Sequence, residues 1–272
     1  MKLDVSYGTA DGKVCETMLA ELTKLYDWYV DAYRDSSGEL PKMMRLKRIH
    51  TGFVVKNAET IADGEKFDAK TREAAVAAAL LHDTGRYEQL KIFNTFRDSE
   101  SVDHAVFSHD IVKDKGWLDG LFDAPTRDAI LKAVLYHNRR EIPDGLDPLV
   151  ETCSRTVRDA DKLDIFRVLE DQVANTDWRS DSRAFWNLRM DAAPNPVVVD
   201  CIEKGLPVDY QNIQSLADFV LIQVGWMLSG LNYATSRRIC RDRGHLEFRR
   251  RFLHELTDDP SIDRLCDMAL AL

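Results

Sequence analysis

The sequence predicts an all-α protein. Its apolar residues recur at intervals of three and four, and no segment shows the period-two alternation of a convincing β-strand. Glycines, prolines and helix-capping residues fall between these periodic segments, as expected at helix ends. The composition, 44% apolar and 31% charged, is that of an ordinary globular protein and excludes a disordered or fibrous chain.

The helices can be placed in order from their start and stop signals. They are predicted over residues 14–33, 41–63, 71–81, 101–115, 123–137 and 148–172, and again over 214–232 and 233–256. Pro41 and Pro148 suit the first turn of a helix, Ser101 is the predicted cap of the fourth, and Gly116 follows its end. Residues 175–209 predict a loop-rich segment with one short helix.

We expect these helices to form one domain overall. In this prediction an N-terminal helical segment, 1–40, precedes a catalytic core, 41–175. Residues 176–272 then form a C-terminal helical extension that packs on the core. An exposed pair of helices in the extension could support a homodimer.

The net charge, the cysteines and the apolar segments of the sequence indicate which classes of protein to exclude. The net charge of −9 argues against a protein whose main function is to bind the phosphates of nucleic acids. The cysteines are odd in number and have no CxxC spacing, which predicts free thiols: Cys15, Cys153, Cys201, Cys240 and Cys266. The N-terminus lacks the apolar segment of a signal peptide, and the longest apolar stretch, 219–234, is too short for a bilayer. A cytoplasmic protein without a membrane partner is therefore expected.

Five of the seven histidines lie between positions 50 and 137, and this cluster is the main functional signal. His50 is in line with apolar residues at helical offsets: Met43, Leu46, Phe53 and Val54. Asp83, His137 and Asp161 follow apolar residues at the same offsets. A single inward histidine is usually a core residue, and a single inward Asp161 would pair with an arginine. Several such groups together predict a metal site with N and O ligands.

Four motifs carry a resemblance to a known family. His50 is followed by LLHDTGRYEQ at 80–89, SVDHAVFSHDIV at 101–112, VLYHNRR at 134–140 and RDADKLDIF at 158–166. Their order and spacing resemble those of the HD superfamily of metal-dependent phosphohydrolases, over roughly residues 45–175. The resemblance implies an HD-domain helical bundle with additional C-terminal helices.

The resemblance also implies a binuclear centre. Asp83 would bridge two divalent ions (Mn, Fe, Co, Zn, Ni or Mg), with His50, His82 and Asp161 on one ion and His104 and His137 on the other. His104 and His109 are five residues apart, about 140° around a helix, so only one can face the site. Periodicity does not separate them; the family context favours His104 and leaves His109 as the alternative.

The activity implied is hydrolysis of a phosphate ester in a small-molecule substrate, such as a nucleotide, through a metal-activated water. Asp83 is a predicted catalytic residue, Arg86 and Lys162 are predicted to neutralise phosphate charge, and Asp103 and Asn138 to orient ligand imidazoles. Arg86 could instead be a salt-bridged arginine at a helix end.

Two other functions remain open. An HD-type di-iron oxygenase uses the same six ligands, and a signalling module could keep the fold without catalysis, although every ligand position is intact here. The arginine-rich string 237–251 is predicted to be a solvated face balanced by Asp242, Glu247 and Glu255.

Overall fold

Regular structure is entirely helical in the residues that the structure describes. The computed structural model describes the backbone of residues 10–180 and 188–272, with side chains from residue 18 onward. No β-strand occurs in these ranges, where one isolated bridge pairs Arg189 with Ser215. The all-α prediction is confirmed. Part of the predicted loop-rich segment and the first nine residues of the predicted N-terminal segment lie outside the described residues.

The chain divides into two compact units within one long helix. The first unit ends at Ala160 and the second runs from Asp161 to Leu272. The first contains α1 (Ala10–Asp31), α2 (Lys42–Gly64), α3 (Ala69–Leu81), α4 (Gly85–Phe93), α5 (His104–Asp114), α6 (Ala124–Tyr136) and the start of α7 (Pro148–Asn175). The second continues α7 and adds α8 (Pro196–Glu203), α9 (Leu216–Gly225), α10 (Ala234–Asp242), α11 (His245–Leu256) and α12 (Ser261–Leu270). The predicted division at residue 175 remains a prediction.

Helix α3 is the centre of the first unit. Its residues from Ala74 to Leu81 are all buried, and it packs against α1, α2 and α6. Most of them are alanines, whose small side chains let neighbouring helices approach closely. Asp68 caps the start of α3 by accepting a hydrogen bond from the backbone N–H of Thr71. The carboxyl end of α3 therefore lies in the interior, which places the residues that follow it there as well.

The region after α3 differs from the prediction. Helix α4 was not predicted, because its short sequence lacks a clear apolar period. The predicted cap Ser101 is wrong: Asp103 caps α5 by accepting from the backbone N–H groups of Ala105 and Val106. The Ser101 hydroxyl instead donates to the carbonyl of Arg97 at 2.7 Å. Helix α5 therefore begins at His104.

The buried face of α2 also differs from the apolar face that the sequence predicted around His50. Val54 is buried, but Met43, Leu46 and Phe53 are 45%, 51% and 39% exposed. The face that packs on the core is centred on Thr51, Val54, Ala58 and Ile61, a short way around the helix from the predicted stripe. His50 remains buried at the border of this face.

The second unit is organised around a buried guanidinium. Arg249 of α11 is fully buried, and it donates to Glu170, to the side-chain carbonyl of Gln223 and to the backbone carbonyl of Phe166. The Nδ1 atom of His245 lies 2.7 Å from Glu170. A buried cation is tolerated only if it is paired and hydrogen-bonded. Since the partners of Arg249 lie on α7 and α9, satisfying this cation joins those two helices to α11.

The second unit departs from the prediction in two places. The helix predicted over 233–256 is divided by Gly244, whose φ of 70° ends α10 and precedes α11. Helix α12 was not predicted. Free cysteines are confirmed for Cys153, Cys201, Cys240 and Cys266, whereas the side chain of Cys15 lies outside those described. Over 10–180 and 188–272, none of the helices has the length and apolar content that a bilayer crossing requires.

Substitution by alanine is expected to have opposite effects on stability at two glycines, Gly85 and Gly52. A Cβ added to Gly85 would lie 2.7 Å from the backbone N of Ser108, where α4 meets α5, whereas one added to Gly52, in α2, would meet nothing within 4 Å. Gly85→Ala should lower the free energy of unfolding by about 1–3 kcal/mol through overpacking. Gly52→Ala should raise it by about 0.5–1 kcal/mol, because alanine is the better helix former. Urea unfolding of both variants measures this, and a stabilised Gly85→Ala protein would contradict the close approach.

Candidate metal centre

Four histidines and one aspartate of the first unit converge in one place, and all but one of them lie at a helix end. His82 and Asp83 directly follow α3, His137 directly follows α6, and His104 is the first residue of α5. His50 lies within α2. None of these five residues is more than 8% exposed. The helix ends thus deliver a concentrated set of N and O ligands to one buried place.

Three of the imidazoles are held in a single tautomer. The Nδ1 atoms of His82 and His137 lie 2.8 Å and 2.7 Å from the carbonyl oxygens of Ala79 and Val134, in the last turns of their own helices. A carbonyl can only accept, so each Nδ1 carries the proton and each Nε2 carries a lone pair that can bind a metal. His104 donates in the same way from Nδ1 to the Asp98 carboxylate at 2.5 Å. This tautomer is the one that binds a metal through Nε2.

The Nε2 atoms of the four histidines face each other in two pairs. The Nε2 atoms of His50 and His82 are 3.4 Å apart, and those of His104 and His137 are 3.0 Å apart. With N–metal bonds of about 2.1 Å, two ligands of one ion lie roughly 3.0–3.4 Å apart at angles of about 90–110°. Because the protons of His104 and His137 are on Nδ1, no proton lies between their Nε2 atoms, and the two lone pairs repel each other. A cation bound by both atoms would remove this repulsion. The observed distances fit a metal ion at each pair.

Asp83 lies between the two pairs. Its Oδ2 atom is 3.6 Å and 3.5 Å from the Nε2 atoms of His50 and His82. Its Oδ1 atom is 3.7 Å and 3.9 Å from the Nε2 atoms of His104 and His137. These side chains form two groups able to hold an ion, His50-His82-Asp83 and Asp83-His104-His137, and the Asp83 carboxylate is common to both. A third such group among the described residues, Asp98-Asp103-His104, shares His104 with the second.

Charges around Asp83 keep it ionised. Burial acts to raise the pKa of Asp83, but Lys47, followed by His82 and Arg86, holds that pKa well below its usual range. The Nζ atom of Lys47 lies 2.6 Å from Oδ2, and the Nε atom of Arg86 lies 3.4 Å from Oδ1. Burial lowers the pKa of His104, despite its hydrogen bond to Asp98. The centre therefore presents a carboxylate and a neutral imidazole, the protonation states that bind metal.

Asp98 is a functional residue that the sequence analysis missed. It begins a single 3₁₀ turn, Asp98–Glu100, which is too short for helical periodicity to give a signal. Its Oδ2 atom accepts from His104, and its Oδ1 atom accepts from Arg86 at 2.9 Å and from Gln89 at 3.1 Å. A carboxylate behind a ligand imidazole fixes the orientation of the ring and raises its basicity. Lys47 was also missed, although it lies three residues before His50 on the same helix.

The contacts of Arg86 are mainly with its own surroundings. Its Nη1 atom donates to Gln89, to the carbonyl of Phe96 and to Asp98 at 2.6–2.9 Å. These bonds tie α4 to the segment before α5, and the side chain of Arg86 is 13% exposed. Arg86 thus has the contacts expected of a salt-bridged arginine at a helix end, which was the alternative to a contact with phosphate. A contact of Arg86 with substrate stays a prediction.

The other predicted site residues are placed as follows. His109 is half-buried on α5, with Nδ1 2.8 Å from its neighbour Asp110, and belongs to neither group of possible ligands. Asp103 and Asn138 contact each other at 2.8 Å, linking the residues that adjoin His104 and His137. They join the ends of two helices, and it is Asp98 that contacts an imidazole.

Asp161 and Lys162 lie on α7, at the start of the second unit. Asp161 is half-buried, and its role as a ligand stays a prediction. Lys162 donates from Nζ to the carbonyl of Gly230 at 3.0 Å and lies 5.8 Å from the centre of the Trp226 ring. Its contact with substrate is likewise a prediction.

Comparison with known proteins confirms the resemblance seen in the sequence. Residues 48–165 match the family model described as HD domain, and this segment contains all six predicted ligands. HD domains bind divalent metals and are mostly metal-dependent hydrolases, although some are non-catalytic. No curated protein and no solved structure matches the chain.

The two neighbouring histidines give a direct test of the ligand assignment. His104→Ala should lower the metal bound per chain below that of the wild type, because it removes one Nε2 of a facing pair. His109→Ala should leave the metal largely in place, because His109 belongs to neither group. Metal analysis of both variants, purified without chelator, makes the comparison. The reverse pattern would mean that the ligand comes from the other face of α5.

Proposed function

We propose that the chain is a metal-dependent hydrolase that cleaves a phosphate ester in a small-molecule substrate, acting through a metal-activated water. The observation that carries this proposal is the position of Asp83, with one carboxylate oxygen toward each pair of histidines. The arrangement suits two cations held a short distance apart. Such a centre is suited to an in-line displacement at phosphorus, in which attacking and leaving oxygens both need compensation of charge.

Each residue of the centre has a role in this proposal. His50, His82 and Asp161 would hold one ion, His104 and His137 the other, and Asp83 would bridge them. Bound divalent ions supply Lewis acidity toward the phosphoryl oxygens and lower the pKa of a water molecule. Asp98 holds the His104 ring, and the carbonyls that end α3 and α6 hold His82 and His137, so the ligands are oriented before an ion binds.

Basic residues of the chain would balance the charge of the phosphate. The side chain of Lys47 is 23% exposed and its ammonium group contacts Asp83, so it adds positive charge at the border of the centre. Arg86 and Lys162 are the other proposed cations. In the transition state, positive groups at fixed positions stabilise the charge that develops on the phosphoryl oxygens.

The dependence on metal and oxygen tests the proposal. The protein loaded with Mn, Co or Mg should release phosphate or a nucleoside phosphate from an ester under strictly anaerobic conditions, because hydrolysis transfers no electrons. A broad screen of phosphate esters, read as released phosphate, measures this. Asp83→Ala should abolish turnover, whereas Asp128→Ala should leave it unchanged, since Asp128 is an exposed residue whose ion pair is with Lys132, one turn along the same helix.

The oxygenase alternative predicts the opposite dependence. A di-iron oxygenase requires iron and consumes dioxygen, and an ion without redox chemistry silences it. If only the iron form is active, and only in air, the hydrolase proposal is wrong. If no metal form turns over any ester or consumes dioxygen, the non-catalytic alternative holds.

A further inference from the structure

Lys47 of α2 makes a close ion pair with the carboxylate at the middle of the metal centre. Its Nζ atom lies 2.6 Å from Oδ2 of Asp83. The same Oδ2 atom lies 3.6 Å from Nε2 of His50 and 3.5 Å from Nε2 of His82. The ammonium group therefore contacts the oxygen that Asp83 directs toward these two histidines.

Helix α2 supplies both His50 and Lys47. The two residues are three positions apart, so they lie next to each other on one side of the helix. His50 is 6% exposed, whereas the side chain of Lys47 is 23% exposed. The helix thus places a proposed metal ligand and a lysine beside one carboxylate oxygen, with the lysine side chain partly open to solvent.

Asp83 requires a cation because its carboxylate is buried. Its side chain is 4% exposed, and a buried charge without a partner is strongly unfavourable. Arg86, the other cation beside Asp83, is nearest to the opposite oxygen, Oδ1, at 3.4 Å. Lys47 is therefore the side chain that compensates the charge of Oδ2 whenever no metal ion does so.

A metal ion at His50 and His82 would use the same oxygen of Asp83. A divalent ion and an ammonium group on one oxygen repel each other, and they do so strongly where screening is poor. The lysine side chain can move away, because its stem is flexible and partly exposed. The ring of Phe96, whose centre is 5.7 Å from Nζ, offers the ammonium group a cation–π contact.

We propose that Lys47 is a positioning residue whose ammonium group takes the place of a metal ion at Asp83 and leaves this position when the ion binds. In a chain without metal, the ammonium group holds the buried carboxylate beside the histidines. Metal binding then exchanges one cation for another, so the centre is assembled before an ion arrives. The inference depends on the metal centre and not on the reaction proposed for it.

The affinity for manganese distinguishes competition from simple support of the site. Lys47→Met should lower a dissociation constant for Mn(II) about tenfold or more, because one nearby charge shifts the equilibrium of a neighbouring group by about one to three powers of ten. Lys47→Gln, which can still donate a hydrogen bond, should change it in the same direction. Lys47→Arg keeps the charge and should keep the affinity of the wild type. Damage to the structure alone would weaken binding instead.

A titration of the full-length protein measures these affinities. The electron paramagnetic resonance signal of free Mn(II) reports the unbound metal, at about pH 8, well above the usual pKa of a carboxyl group. Lys56→Met is the matched control, because it removes the same charge from an exposed lysine of the same helix. Its affinity for Mn(II) should equal that of the wild type.

Thermal unfolding gives a second readout of the exchange. Without metal, Lys47→Met should lower the melting temperature by roughly 5–10 °C, because it deprives a buried carboxylate of its cation. Saturating manganese should shrink this difference, since the ion replaces the missing cation and binds the variant more tightly. Lys56→Met should show neither effect.

Weaker or unchanged binding of manganese by Lys47→Met would overturn the inference, because the ammonium group and the ion would then not compete for Asp83. Equal tightening in Lys56→Met would overturn it as well, since net charge alone would be the cause. Absence of manganese binding by the wild type would defeat the metal centre and this inference together. The experiment includes no substrate, so failure of ester hydrolysis leaves its outcome untouched.

Discussion

The structure of the centre depends on one electrostatic constraint, the burial of facing imidazole lone pairs around a single carboxylate. Neutral imidazoles whose Nδ1 protons are already donated cannot hydrogen-bond to each other through Nε2, yet His104 and His137 face each other at 3.0 Å. Without a cation, such an arrangement is repulsive in a medium that screens poorly. Asp83 supplies the compensating negative charge for both histidine pairs. Its ionisation, maintained by Lys47, is therefore essential to the whole site.

The ends of the helices fix the orientation of the ligand imidazoles. The carbonyl groups in the last turn of a helix lack partners within the helix, and two of them accept from the Nδ1 atoms of His82 and His137. The alanine-rich α3 can be buried on all sides, so the residues at its end enter the interior without a loop. Gly85 lets α4 approach α5 closely, and Asp103 fixes the first turn of α5 with His104 at its start. Local backbone requirements and ligand placement are thus met by the same residues.

The sequence predicts the parts of the centre that follow helical periodicity and motif spacing. The all-α fold, the burial of Asp83 and His137 after apolar helices, and the choice of histidines are accessible in this way. Asp98 and Lys47 are not, because Asp98 begins a 3₁₀ turn too short to show a period and Lys47 resembles any exposed lysine on an amphipathic helix. The apolar face predicted around His50 was wrong at Met43, Leu46 and Phe53, because the buried face of α2 includes the polar residues Thr51 and Asn57, which an apolar pattern leaves out. The pairing of Glu255 with Arg179, outside the arginine-rich string 237–251, likewise depends on tertiary structure, which sequence proximity does not reveal.

Electron paramagnetic resonance of the manganese-loaded protein tests whether Asp83 bridges two ions. Two Mn(II) ions that share one carboxylate are coupled by exchange, and isolated ions are not. If Asp83 is the bridge, saturating manganese gives two ions per chain and the multiline spectrum of a coupled pair. A single ion per chain with the six-line spectrum of isolated Mn(II) would mean that Asp83 does not bridge two ions.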